Sequence, residues 1–224
     1  LRHECLLALE TQACIGGETG WRPAIVSLHD NSGLAAAAPA YVKGHSYGEF
    51  VFDFAWAQAY ARVGLPYYPK LVVGIPFTPA TGARLLLRDP ADGQLRSQLI
   101  DELQQAARTR GWSSIHALFA NESDHDALRS AGWLSRRDVQ FHWHNRGYHS
   151  FDDYLATFTA DKRKKAKRER RRVAEDGIEF VTLMGPSIDP AVLDAVYALH
   201  RQTFLRHGHE PYLTREFFRT IAAV

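Results

Sequence analysis

Cysteine is scarce in this chain. Cys5 and Cys14 are the two it has, close together near one end. They make neither a disulfide framework nor the paired spacing of a zinc site, so a reducing compartment is the expected setting. Long apolar runs are absent as well. No stretch approaches the roughly 20 residues that span a bilayer, so no membrane-spanning helix is expected and the expected location is cytoplasmic. Internal repeats at solenoid periods are missing. Helix breakers are missing from one long stretch, for neither Gly nor Pro occurs between Ser150 and Asp176.

What that stretch does hold is positive charge. From Lys162 to Arg172, nine of eleven residues are Lys or Arg. Ser150 reads as an N-cap, and Asp152, Asp153 and Asp161 fall toward the positive end of the helix dipole. Tyr154, Leu155 and Phe158 give an apolar anchor at helical spacing. The pattern predicts one continuous helix with Arg163, Lys167 and Arg171 in an exposed row. Like charges at i,i+4 cost about 0.2–0.5 kcal/mol per pair, which facing phosphates or acidic protein relieve; the plainer alternative is a helix with its basic face in water. The whole chain carries 27 basic and 25 acidic residues, a net charge of +2. Without the nine basic residues and Glu169, 18 basic residues remain against 24 acidic ones, a net charge of −6. A basic bar on an acidic body suits a polyanionic ligand at one place better than coating by nucleic acid.

An apolar fraction of 46% is enough for a packed core. Leu1 to Ala13 reads as a helix. Pro23 to His29 and Leu34 to Val42 read as the arms of a hairpin around Asp30-Asn31-Ser32-Gly33. A helix is expected from Phe52, strands at Lys70 to Ile75 and Ala83 to Leu87, and an amphipathic helix from Ala91 to Arg110, striped by Leu95, Leu99, Leu103 and Ala106. Ser114 to Phe119 reads as a strand, Ser123 to Ala131 as a short helix and Val139 to Asn145 as a strand with Phe141 and Trp143 buried. A strand at Glu179 to Leu183, a helix at Asp189 to His207 and a helix capped by Thr214 complete the reading. Leu1 stands first and the chain stops inside a helical pattern, so a piece of a longer protein is expected.

The order helix, antiparallel strands, helix, strand, helix, strand is that of the GNAT acyltransferase fold. The expected class is therefore α+β with layered α/β character, a mainly antiparallel sheet flanked by helices. Four separated stretches carry a closer resemblance. They are Tyr41 to Ala57 (YVKGHSYGEFVFDFAWA), Tyr67 to Leu71 (YYPKL), Pro76 to Gly82 (PFTPATG) and Gln140 to Asn145 (QFHWHN). Together they resemble the FemAB-like N-acyltransferases, as does the basic linker. The resemblance implies a first GNAT-like lobe at 1–149, a basic linker helix at 150–177 and the start of a second lobe at 178–224. It implies transfer of an acyl or aminoacyl group to an amine, on a small molecule or a peptidoglycan precursor. It also implies a phosphate-rich donor, acyl-CoA or aminoacyl-tRNA; the residues themselves point to no metal. The pyrophosphate loop of ordinary GNAT enzymes is lacking between Arg84 and Gly93. This keeps a rival reading in play, a non-catalytic lobe that binds a polyanion or a cell-wall precursor.

Amide formation needs a base for the ammonium and donors for the tetrahedral oxyanion. Glu49 and Asp53 lie i,i+4 amid Phe50, Phe52, Phe54 and Trp56. Buried there they suit a general base, and at a helix start they suit backbone N–H groups. On a strand, Gln140, His142 and His144 share one face, as part of a catalytic group, as a polar cleft wall or as a metal pair, the last needing a third ligand that the sequence does not point to. The catalytic candidates are Glu49, Asp53, His142 and His144. His45, Tyr47, Trp56, Lys70 and Gln140 are candidates for substrate binding, with Arg163, Lys167 and Arg171 for the anion. Ser46 has no base at fixed spacing, which argues against a serine hydrolase.

Overall fold

The computed structural model describes residues 2–223, without the side chain of Pro186. It forms two compact units. One holds the residues up to Arg137 together with those from Gly185 onward; the other is Asp138–Met184.

The first unit is α+β with two sheets. Its strands are β1 Trp21–Pro23, β2 Val26–Asp30, β3 Gly33–Ala38, β4 Ala40–Lys43, β5 Lys70–Val73, β6 Leu86–Leu87 and β7 Ile115–Ala117. One sheet has the order β1-β4-β5-β7, antiparallel except for the parallel pair β5 and β7. The other has the order β2-β3-β6 and is antiparallel throughout. Each expected hairpin arm is thus two strands in two sheets. Pro39 stands at the break between β3 and β4, where a residue with no N–H cannot extend a ladder.

The central strands β4 and β5 are buried along their whole length because both faces are covered. One face carries Ala40, Val42, Leu71 and Val73 into a core with Leu99, Ile100 and Leu103 of α3 (Gly93–Thr109). The other face carries Tyr41 and Val72 into a second core. Its other members include Ala8 and Leu9 of α1 (His3–Thr11), and Phe217. Phe217 comes from the last helix, Arg215–Ala222, whose N-cap Thr214 accepts a hydrogen bond from the Phe217 N–H at 3.2 Å. Thr214 also donates its hydroxyl to the Gln12 carbonyl at 3.0 Å, which ties that helix to the end of α1. Helices Phe54–Arg62 (α2), Glu122–Ser130 (α4) and Pro190–Arg206 complete this unit.

The second unit departs from expectation at two places. Val139 to Asn145 has no regular secondary structure and pairs with no described strand, and Phe141 is 99% exposed. Trp143 is also exposed. Alternation of apolar and polar residues makes a strand only when a neighbour supplies ladder bonds and covers the apolar side. Glu179 to Leu183 is unpaired for the same reason. Even so, the His142 and His144 rings lie side by side, with centroids 6.3 Å apart.

The basic stretch is two helices, α5 (Phe151–Ala156) and α6 (Ala160–Glu175), not one. A capping box starts α5, with the Ser150 hydroxyl and the Asp153 carboxylate each accepting a backbone N–H of the other. Thr157 turns its hydroxyl onto the Tyr154 carbonyl at 2.7 Å, a local bond that competes with helix continuation. Arg163 reaches back to the carbonyls of Leu155 (3.0 Å), Ala156 (3.2 Å) and Phe158 (2.9 Å). A guanidinium at a helix C-terminus satisfies orphan carbonyls and the negative end of the dipole, so the break is stabilised. Arg163 is therefore a half-buried cap and not a member of an exposed row. Lys167 and Arg171 are exposed and meet Asp152 (2.9 Å) and Glu175 (3.3 Å).

Candidate active site

Strand register brings the chemistry together. Lys43 at the end of β4 pairs with Lys70 at the start of β5, and Val72 pairs with His116 on β7. Side chains alternate along a strand, and directly paired residues share a face. Lys43, Lys70 and His116 therefore lie on the same side of the sheet as Tyr41 and Val72. The segment after β4 folds back over them and delivers Ser46, Glu49 and Asp53.

Lys70 is the centre of the cluster. Its ammonium donates to Asp53 Oδ2 at 2.5 Å, Glu49 Oε2 at 2.9 Å and Ser46 Oγ at 3.0 Å. The side chains of Lys70 and Glu49 are 0% exposed. Tyr67 donates its hydroxyl to Asp53 Oδ2 at 2.6 Å, and the Tyr68 hydroxyl lies 2.7 Å from Ser46 Oγ. Lys43 donates to the Tyr47 carbonyl at 3.1 Å and stands 3.8 Å from the centre of the Trp21 ring. Two ammonium groups and two carboxylates thus share one dry site, where breaking either set leaves an uncompensated charge.

Each carboxylate keeps one oxygen in reserve. Glu49 Oε1 and Asp53 Oδ1 are buried without a hydrogen-bond partner. Burial pushes the Glu49 carboxyl above its ordinary range despite Lys70. Burial acts the same way on Asp53, but hydrogen bonds from Lys70, Ser46 and Tyr67 outweigh it and bring its carboxyl down to about 2. Desolvation brings the Lys43 ammonium down to about 7. The site can hold both a strongly ionised carboxylate and one that takes up a proton readily.

The overlying segment is conformationally forced. Gly48, Phe50 and Phe52 all have left-handed φ, at 80°, 58° and 49°. Only glycine fits position 48, since a Cβ there would stand 2.7 Å from the Phe77 ring. Asp53 opens α2 without capping it, because its side chain is turned to Lys70 and Tyr67.

Of the expected residues, the fold brings Glu49, Asp53 and Lys70 into contact. His45 is half-buried and accepts the Tyr47 N–H at 3.3 Å, while Tyr47 and Trp56 are exposed. Gln140, His142 and His144 belong to the second unit, on an exposed segment without regular structure, with His142 Nε2 3.3 Å from Gln140 Oε1. Arg163, Lys167 and Arg171 also belong to that unit. Lys43 and His116 escaped the sequence reading, and Ser46 entered it only as a serine without a base. Lys43 and Ser46 lie inside the YVKGHSYGEF stretch, and Tyr67 inside YYPKL. His116 has no sequence signal until the pairing of β5 with β7 is known. Arg84 and Asp124 turn the Pro-rich connector into a rigid one. Arg84 donates to the carbonyls of Leu118 and Ala80, both at 2.6 Å, and Asp124 Oδ2 accepts the Arg84 N–H at 2.6 Å.

A separate cleft of about 550 Å³ lies between β2, β3 and α3, edged by His29, Asp30, Arg88, Asp92, Gln98 and Glu102, and does not include the Lys70 cluster. Among the described residues, no group of three or more His, Cys, Asp and Glu is placed to hold a metal ion. No helix among them is long and apolar enough to cross a membrane.

The profile of the FemAB-like family, described as peptidoglycan biosynthesis/recognition, matches residues 1–224. No curated protein and no solved structure matches the chain. The match spans all four resembling stretches, including those that build the Lys70 cluster, and the chain belongs to the FemAB-like family of peptidoglycan biosynthesis and recognition.

Proposed function

We propose that the protein is a cytoplasmic, GNAT-like N-acyltransferase that transfers an acyl or aminoacyl group to an amine of a peptidoglycan precursor. The observation that carries this reading is the Lys70 ammonium held between two carboxylates that each keep an unpartnered buried oxygen. Glu49, whose carboxyl burial makes more basic, takes the proton from the incoming ammonium. Lys70 supplies positive charge for the tetrahedral oxyanion, and Asp53 positions Lys70. The single parallel pair β5/β7 beside an antiparallel run supports the GNAT assignment. Acyl-CoA or aminoacyl-tRNA is the donor, and the basic face of α6 takes its phosphates. Substrate entry requires the segment from Gly48 to Asp53 to swing away, since the cluster beneath it is sealed.

The test is amide formation by the 224-residue chain from aminoacyl-tRNA or acyl-CoA and a precursor amine, followed by mass spectrometry. Product that disappears in Glu49→Gln supports the reading. Absence of product with every donor removes it. A second reading is favoured by the complete burial of Lys70 and Glu49. In it the ion cluster only holds the segment, and the protein recognises a cell-wall precursor without reacting. Precursor binding unchanged in Glu49→Gln, with no turnover in either protein, would establish that alternative.

A further inference from the structure

Beside the Lys70 cluster, on the less buried side of Asp53, lies an arrangement that the proposed chemistry has not used. Ser114 Oγ is 2.9 Å from His116 Nε2. The other ring nitrogen, His116 Nδ1, faces Asp53 Oδ2 at 3.9 Å. With a carboxylate on the Nδ1 side, the proton sits on Nδ1 and Nε2 accepts from the Ser114 hydroxyl. Asp53 Oδ2 already accepts from Lys70 and Tyr67, while Asp53 Oδ1 is buried with no partner. The 3.9 Å separation is longer than a hydrogen bond, and catalytic contacts of this kind are often long before substrate binds. Ser114 is half-buried, in contrast to the sealed Ser46. The Tyr67 ring stands perpendicular to the His116 ring at 6.0 Å and limits its rotation. Burial and the Lys70 ammonium keep His116 unprotonated.

We propose that Ser114, His116 and Asp53 act as nucleophile, base and positioning carboxylate, so that the acyl group passes through an ester on Ser114 before it reaches the amine. The inference rests on the acyl-transfer reading and names its route. In the first half, Ser114 Oγ gives its proton to His116 Nε2 and bonds to the acyl carbon. The bond from that carbon to the donor's oxygen or sulfur breaks, and the leaving atom takes the proton from Nε2. In the second half, the amine bonds to the acyl carbon and the ester bond to Ser114 breaks. An amine proton passes by way of His116 to Ser114 Oγ, which restores the enzyme. No outside oxidant or reductant is needed. The connectivity is that of the serine acyl-transfer triads, reached here by a Ser-x-His pair at the start of β7 and an Asp from the facing segment.

The experiment treats the folded 224-residue chain with a fluorophosphonate probe, reads the adduct by intact mass and maps it by peptide sequencing. One adduct on Ser114 is expected. It should be lost in Ser114→Ala, slowed about 100-fold or more in His116→Gln and unchanged in Ser97→Ala, which lies on α3 away from the site. No adduct on the folded wild-type chain, an adduct on Ser46, or labelling that persists in Ser114→Ala would overturn the proposal. The wild-type map decides alone should Ser114→Ala fail to fold. Amide formation that survives in Ser114→Ala removes the covalent route and leaves the transferase reading standing. Labelling of Ser114 with the acyl group released only to water does the reverse.

Discussion

Lys43 and Lys70 are direct cross-strand partners, both fully buried; a single overlying segment answers the Lys70 ammonium with Glu49 and Asp53 and the Lys43 ammonium with the Tyr47 carbonyl. Like charges placed opposite one another destabilise a sheet unless something compensates them. Here the compensation is structural first, since it holds the segment from Ser46 to Asp53 against β4 and β5. It is also what shapes the proton affinities of the site.

Removing the cation should be costly. Lys70→Met keeps the stem but leaves two buried carboxylates facing each other. It should destabilise the fold by about 3 kcal/mol or more, by denaturant titration. Lys162→Met, on the exposed face of α6, should move stability by less than about 0.5 kcal/mol. Equal effects would mean that the Lys70 cluster contributes nothing beyond packing.

Glu49→Gln separates chemistry from support. The amide still accepts from Lys70 but cannot take up the proton. Turnover should fall by about 100-fold or more, with the unfolding transition still cooperative. An activity within a factor of two of wild type would assign Glu49 to structure alone.

His116 should write itself into the acid limb of stability. Burial and the Lys70 ammonium bring its ring from 6.5 down to about 4. Between those values the unfolded chain binds a proton that the folded chain excludes. Stability present at neutral pH is therefore lost as the pH falls through that window. The loss should be on the order of 2 kcal/mol, since the ring is 24% exposed. In His116→Gln the dependence across this window should flatten. Asp53 acts lower, between its ordinary 3.8 and about 2, in the same direction.

The basic helices should respond unequally to neutralisation. Arg163→Gln removes two bonds to the end of α5 and one to Phe158 just beyond it, and should loosen Phe151–Ala156, read by hydrogen exchange. Lys164, Arg168 and Arg172 are exposed and stand i,i+4 from one another. Replacing these three with Gln should leave the free protein as stable or more so, because repulsion is relieved. The same change should flatten the salt dependence of tRNA binding. An unchanged salt slope would place the phosphate contacts elsewhere.

Sequence periodicity by itself determined the α+β class and most of the helices, though not the break between α5 and α6. The stripe Leu95, Leu99, Leu103 marked α3, and Thr214 and Ser150 marked two helix starts, because caps and stripes are local. The motif stretches likewise placed Glu49, Asp53 and Lys70 on the list of candidates. Tertiary structure decided the rest. Pro39 had to meet a second sheet before one hairpin arm became two strands. Val139 to Asn145 carried a strand pattern with no ladder partner to make it one. Arg163 became a cap because the carbonyls of Leu155 and Ala156 in α5, and of Phe158 beyond it, lay within reach of its guanidinium. His116 joined the site only through its register with Val72, a pairing between residues far apart in the chain. Local rules fix what a segment prefers; which charged side chains share a dry pocket depends on strand partners that no short window of sequence contains.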